Sequence, residues 1–217
     1  MNELKEFIEV FGKAIEKRAK GRVCCYLSGG HDTRAILSVL LYLDNEFDVA
    51  TGYSPDGRTS KEDLEIAKKI VAKFGLNHII VECKREEERP RLMREATREY
   101  DAVFSGVLMS EYLNIWNLHN INRGYQKASL YGHIPGIYSA LKENNNLCVP
   151  VLEPEVVEAW KKVPPKFKHD CIIQKAIIRH YYPSLLEFPF TKSYVTFGFR
   201  RKFVQIRDKL VYIIKHL

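Results

Sequence analysis

Leu4, Phe7, Ile8, Phe11 and Ile15 recur every three or four residues, which predicts an amphipathic helix over the first twenty positions, ended by Gly21. The pattern then changes. Val23–Leu27 is apolar without polar alternation, as in a strand buried on both faces. From Thr33 to about Asp44 the chain is apolar almost all round, at Ile36, Leu37, Val39, Leu40, Leu41 and Leu43, and predicts a buried helix. Phe47–Tyr53 reads as a second strand and Ser54-Pro55-Asp56-Gly57 as a turn. Thr59 and Glu62 form a capping box for a helix carrying Leu64, Ala67, Val71 and Phe74, which Gly75 stops. His78–Cys83 is a third strand, Lys84–Tyr100 a charged, helix-compatible stretch and Ala102–Ser105 a short fourth strand. Strands alternating with helices predict an α/β fold, a doubly wound parallel sheet with helices on both faces. From Glu111 onward strand signals fade, which predicts a mainly helical C-terminal half. Its last apolar stripe, Phe203, Ile206, Leu210, Ile213 and Leu217, is expected to pack on the chain's own core.

The richest chemistry lies where the first strand breaks: Ser28-Gly29-Gly30-His31-Asp32-Thr33-Arg34. Glycines let the backbone approach a ligand closely, and a helix start presents unpaired N–H groups and the positive end of a dipole. Ser28 and Thr33 add hydroxyls. Asp32 looks misplaced in an anion site unless a divalent cation lies between its carboxylate and bound phosphates. The stretch lacks both the Gly-x-x-x-x-Gly-Lys-[Ser/Thr] spacing and the third glycine of a dinucleotide fingerprint.

Ser-Gly-Gly-x-Asp-[Ser/Thr] resembles the pyrophosphate loop of the N-type ATP pyrophosphatases, and further stretches resemble the synthetase domain of asparagine synthetases. These are Val149-Pro150-Val151-Leu152-Glu153-Pro154, Gln174-Lys175-Ala176-Ile177-Ile178-Arg179 and Tyr182-Pro183. Phe188-Pro189-Phe190-Thr191-Lys192 and Phe197-Gly198-Phe199 follow them. The resemblance runs over about 22–199 and implies a HUP-type fold that cleaves ATP between its α and β phosphates. It implies one domain over 1–217, comprising an N-terminal helix at 1–21, a nucleotide-binding sheet at 22–110 and a helical substrate-side half at 111–217. Two departures stand out. Ser105-Gly106-Val107-Leu108-Met109-Ser110-Glu111 keeps the glutamate of the family's second motif but has Ser110 where an aspartate is expected. The chain also begins Met1-Asn2, without the cysteine and glutaminase domain of glutamine-dependent members. It is therefore expected to take ammonia from a separate partner, or another amine.

Composition narrows the reading. The chain of 217 residues is 46% hydrophobic, enough for a sizeable core. It has no 18-residue apolar run, and acidic and basic residues interrupt the N-terminus, so neither a membrane span nor a signal peptide is expected. Five cysteines without Cys-x-x-Cys spacing suggest free thiols and a reducing, cytoplasmic setting. A formal net charge of +7 suits ATP and pyrophosphate, and equally nucleic acid. Arg200, Arg201, Lys202, Arg207, Lys209 and Lys215 concentrate that charge late in the chain, where a solvated helix face is the plainer reading.

Ligands of doubly wound sheets sit beyond the carboxyl ends of the strands. That rule gathers Ser28, Gly29, Gly30, Asp32, Thr33 and Arg34 after strand one, Tyr53 and Ser54 after strand two, and Ser105, Gly106 and Glu111 after strand four. By resemblance, the loop and its hydroxyls hold ATP phosphates, Tyr53 and Ser54 border the adenosine, and Ser105 and Gly106 line the same pocket. Asp32 binds Mg²⁺ with Glu111 as second carboxylate, and Lys192 stabilises charge at the α-phosphate. Arg34 either reaches phosphate or pairs elsewhere. Lys175 and Arg179 match a family helix or form a structural face, and His31 reads as a packing residue. The implied reaction is adenylation of a small carboxylate with pyrophosphate release, then amide formation with an amine donor. Two alternatives are tRNA base modification and ATP binding without turnover.

Overall fold

The computed structural model describes residues 2–55, 60–85, 88–106, 146–168 and 171–191. Five strands, β1 (Val23–Tyr26), β2 (Asp48–Tyr53), β3 (Asn77–Glu82), β4 (Ala102–Phe104) and β5 (Leu147–Cys148), form one sheet in the order β3-β2-β1-β4-β5. All pairings are parallel; Cys24 sits opposite Asp48 on one side and Val103 on the other. The α/β, doubly wound reading is therefore the observed fold. β1 is central, and the order reverses beside it, which opens a crevice at the carboxyl ends of β1 and β4.

The helices are α1 (Asn2–Arg18), α2 (His31–Tyr42), α3 (Ser60–Phe74), α4 (Arg89–Ala96), α5 (Pro154–Lys162) and α6 (Ile172–Tyr181). Phe7, Ile8, Phe11 and Ile15 of α1 are buried, as their spacing predicts. Gly21 and Gly75 have φ values of +68° and +64°, a region that suits glycine at a helix end. One large core joins α1, α2, α3, α5 and α6 to one face of the sheet, through residues such as Phe11, Ile36, Leu40, Ile70, Trp160 and Ile177. The opposite face carries a smaller cluster of Cys24, Ala50, Met93, Tyr100 and Val103. Cys24 and Cys25 point into these two cores, which explains a strand without polar alternation.

Three differences from the sequence pattern matter. The second helix starts at His31, two residues earlier than its apolar run, because the motif itself forms the first turn. Among the described residues of 84–100, regular helix is confined to Arg89–Ala96. The sheet also does not end at residue 110: β5 pairs with β4, Val103 opposite Leu147, so the C-terminal half contributes a strand. Thr59 of the capping box, Asp56 and Gly57 of the turn, and the stripe from Phe203 to Leu217 lie outside the described residues, as do the late basic residues. No helix among the described residues is long and apolar enough to cross a membrane.

Candidate functional site

β1 runs into Leu27, whose N–H still bonds the Ala50 carbonyl at 2.9 Å, and the chain then turns through Ser28-Gly29-Gly30 into α2. Gly30 is the N-cap and no side-chain hydrogen bond caps the helix among the described residues, the arrangement that an anion site at a helix start uses. The turn is held by short-range bonds. The Ser28 N–H donates to Thr33 Oγ1 and the Gly30 N–H to Ser28 Oγ, each at 3.2 Å, and the two hydroxyls are 3.2 Å apart. The Gly29 N–H, expected to face phosphate, donates instead to Asp63 Oδ1 on α3 at 2.9 Å. Gly29 therefore shapes the loop through its carbonyl and its missing side chain, and the first turn of α2 presents the N–H groups.

Gly106, after β4, lies against that first turn. A Cβ there would approach Thr33 N to 2.7 Å and the Asp32 carbonyl carbon to 2.9 Å, so only glycine fits without moving α2. Asp32 is half-buried, and its Oδ1 accepts a 2.8 Å bond from Nε2 of Gln174, a buried residue of α6. The carboxylate is thus aimed by a side chain 142 positions away.

Arg34 corrects the expectation of a phosphate ligand. It is fully buried, its Nη1 donating to the carbonyls of Leu185 and Phe188 and its Nη2 to those of Gly29 and Pro189, at 2.8–3.3 Å. Its guanidinium carbon lies 3.9 Å from the centre of the Phe190 ring. Burial lowers its pKa to about 10, against the attraction of Asp63. Arg34 is an interior clamp between the loop and the 185–190 segment. His31 stacks on the same Phe190 ring, 3.7 Å between centroids with the ring planes nearly parallel. Neither of its ring nitrogens finds a hydrogen-bond partner among the described residues. Burial, together with Lys175 and Arg34, lowers its pKa to about 4, so the ring is neutral at physiological pH.

The closing segment reaches the loop at Thr191. Its N–H bonds the Gly29 carbonyl at 3.2 Å, and its hydroxyl donates to Asp63 Oδ1. Next to the loop, Thr51 Oγ1 donates to the Leu27 carbonyl at 3.0 Å and lies 2.9 Å from His78 Nε2. The Thr51 proton is committed to Leu27, so His78 carries its proton on Nε2 and donates. Burial and nearby Lys68 lower the His78 pKa.

Tyr53 ends β2 partly exposed, its carbonyl accepting from the Cys83 N–H at 2.7 Å. Ser54 is completely buried, and Ser105, whose N–H bonds the Cys148 carbonyl at 3.0 Å, is nearly so. Lys175 and Arg179 share α6, half-buried and exposed respectively. Glu111, Ser110 and Lys192 lie outside the described residues. Sequence pattern missed Asp63, Gln174, Thr51 and His78. Among the described residues no three His, Cys, Asp or Glu side chains gather as a metal cage. Mg²⁺ does not need one, because it binds through one or two carboxylates together with substrate phosphates. An oriented Asp32 beside an uncapped helix end fits that donor set.

A solved structure similar to the chain is the U34-tRNA thiolase NcsA from Methanococcus maripaludis with its 4Fe–4S cluster, at 15% identity and a TM-score of 0.45. That match covers 85% of this chain and 81% of that one. No curated protein matches the chain. The family model described as asparagine synthase matches residues 6–119, which contain most of α1, the whole loop and β1 to β4. That stretch is over half of the chain, and its motif is the uncapped turn around Asp32: the chain belongs to the asparagine synthase family, which uses ATP, generally with Mg²⁺.

Proposed function

We propose that this protein activates a carboxylate with ATP, releases pyrophosphate and passes the acyl group to an amine. A substrate carboxylate oxygen attacks the α-phosphorus as the bond to the bridging oxygen of the β-phosphate breaks. Acyl-AMP and pyrophosphate result. The amine then attacks the acyl carbon, loses a proton and expels AMP. Most of the barrier is charge and alignment, so the protein's part is a preorganised electrostatic frame. The first-turn N–H groups of α2 and the Ser28 and Thr33 hydroxyls receive the departing phosphates, with Gly106 letting the end of β4 pack against that turn. Mg²⁺ held at Asp32 supplies neutralising charge to those phosphates when bound. Lys192 takes the family's role of facing the α-phosphate.

The observation that carries the reading is the seam between Gly29 and Thr191. It brings the segment that precedes Lys192 onto the loop, as an adenylating site requires. ATP–pyrophosphate exchange across a panel of carboxylates tests it, with Asp32→Ala as control. Carboxylate-dependent exchange that the control abolishes is expected. ADP and orthophosphate as the sole products would overturn the reading.

A further inference from the structure

Asp63 belongs to no motif, yet three distant segments converge on it. It is in the first turn of α3 and 8% exposed. One of its oxygens, Oδ1, accepts both the Gly29 N–H and the Thr191 hydroxyl. Thr191, itself fully buried, returns its N–H to the Gly29 carbonyl, which also accepts from Arg34 at 3.0 Å. Both polar groups of the Gly29 backbone are thus held from outside the loop, the N–H by α3 and the carbonyl by the closing segment and α2. The packing is equally tight: a Cβ on Gly29 would run into Thr191 Oγ1 and lie 2.8 Å from Asp63 Oδ1. Arg34 draws on the same charge, since Asp63 offsets part of its burial cost.

We infer that Asp63 is a positioning residue that locks the closing segment, through Thr191, to the glycine loop, so that the loop meets ATP already assembled. The inference rests on the proposed reaction for its catalytic consequence, but not for the lock itself. Hydrogen bonds to an ionised acceptor are roughly twice as strong as neutral ones, and here two donors share one carboxylate oxygen away from water. Thr191 also holds the Gly29 carbonyl, so slack at Thr191 passes to the loop that receives the phosphates. A misplacement of about 1 Å costs on the order of 100-fold in rate. The competing role for an acid here is a plug: a carboxylate seated where a phosphate oxygen belongs, and displaced by it. The two roles predict opposite responses to pyrophosphate.

The test compares Asp63→Ala, Asp63→Asn, Thr191→Val and Thr191→Ser with the wild type by three measurements. Amide deuteration at Gly29 and over 185–191 reads the lock without any turnover. Calorimetry with inorganic pyrophosphate and Mg²⁺ reads the cradle. ATP–pyrophosphate exchange gives kcat and KM for ATP. Thr191→Val and Asp63→Ala are expected to speed Gly29 deuteration about tenfold or more. They should lower kcat about 10- to 100-fold, with KM and pyrophosphate affinity within about threefold of wild type. Thr191→Ser restores slow Gly29 deuteration and kcat, and Asp63→Asn, which keeps an oxygen acceptor without the charge, falls between. The Thr191 pair decides the question even if Asp63→Ala fails to fold. Unchanged Gly29 deuteration in Thr191→Val, tighter pyrophosphate binding in Asp63→Ala, or no rescue by Thr191→Ser overturns the lock. If no carboxylate supports exchange in the wild type, the reaction is wrong, and Gly29 deuteration still decides the lock.

Discussion

The two ends of the sheet both carry polar clusters, and they are built differently. At the amino ends, Asn77 donates to Asp48 at 3.0 Å, the Tyr100 hydroxyl bonds the other Asp48 oxygen, and the Arg22 N–H bonds Asp101 at 2.7 Å. Each partner stands at the start of a strand or one or two steps before it, and Arg22, Asn77 and Asp101 are exposed. These are ties between strand starts, made at the water boundary. At the carboxyl ends, Arg34 and Thr191 are wholly buried, Asp63 is nearly so, and their partners come from segments up to 155 positions apart. Burying charge is costly unless every group is paired, and breaking one member leaves the others stranded. A polar cluster at the boundary stabilises a fold cheaply. The one that goes inside does so where a loop must be held in a single geometry.

The largest effect that separates the two ends is on turnover. Asp32→Ala is expected to lower pyrophosphate exchange by about 1000-fold, the upper range for losing one preorganised electrostatic partner, and to cost about 1–3 kcal/mol of stability as the buried Gln174 amide loses this acceptor. Asp101→Ala, the same change at the amino end, should leave exchange unaltered. Steady-state exchange beside thermal unfolding of both variants makes the comparison, and equal rate losses would erase the distinction between the ends.

Next comes the clamp. Arg34→Met leaves four carbonyls without their charged donor and is expected to cost about 3 kcal/mol, which lowers the melting temperature by about 5–10 °C at this size. Arg34→Lys should recover little of it, because one ammonium cannot fork to carbonyls of the loop and the 185–189 segment together. Denaturant unfolding measures both. Rescue by lysine would show that charge alone, not the planar fork, holds the seam.

How much of this was legible in the chain follows from distance in sequence. The β1–loop–α2 unit could be read because periodicity changes from strand to helix within a few residues, across glycines. The first helix could be read from five apolar positions on one face. β5 could not: two residues, Leu147 and Cys148, carry no period, and only pairing with β4 makes them a strand. Arg34 stayed open between phosphate and another partner because its position just past an anion loop suits phosphate, whereas its burial is decided by Phe188, Pro189 and Phe190 far along the chain. Asp63 offered one local signal, an acid in the first turn of a helix. That signal suits the helix dipole equally well and says nothing of Gly29. Gln174 lies within a stretch that resembles a family helix, but nothing local shows that it faces Asp32.

The comparison also has a pH signature. Burial lowers the His31 pKa from 6.5 to about 4, with Lys175 and Arg34 acting in the same direction. Between those pH values the unfolded chain binds a proton that the folded chain refuses. The stability that comes from the neutral ring is therefore complete above pH 6.5 and is lost as the pH falls toward 4. His31→Leu should remove an acid-limb loss of about 2 kcal/mol, because leucine keeps the contact with Phe190 and has no buried nitrogens. Urea unfolding at intervals from pH 7 to 4 measures the slope, and an unchanged slope would mean that the ring reaches water in solution.

The smallest effect belongs to the amino end. Tyr100→Phe removes one bond to Asp48 and keeps the ring in its cluster with Cys24, Ala50, Met93 and Val103. Asp48 retains Asn77 as a donor and borders solvent, so the lost bond is replaced in part by water. The expected cost is about 1 kcal/mol of stability with no change in exchange kinetics. It also has a sign in alkali: burial and the Asp48 carboxylate raise the Tyr100 pKa to about 12, so the bond stabilises the fold below pH 10 and is lost above it. The variant should therefore lie below wild type at pH 7 and approach it as the pH rises past 10. A fall in pyrophosphate exchange that tracks the stability loss would show that the sheet transmits strain from one end to the other. Unchanged exchange would show that the loop's geometry is set wholly by the partners that converge on Gly29.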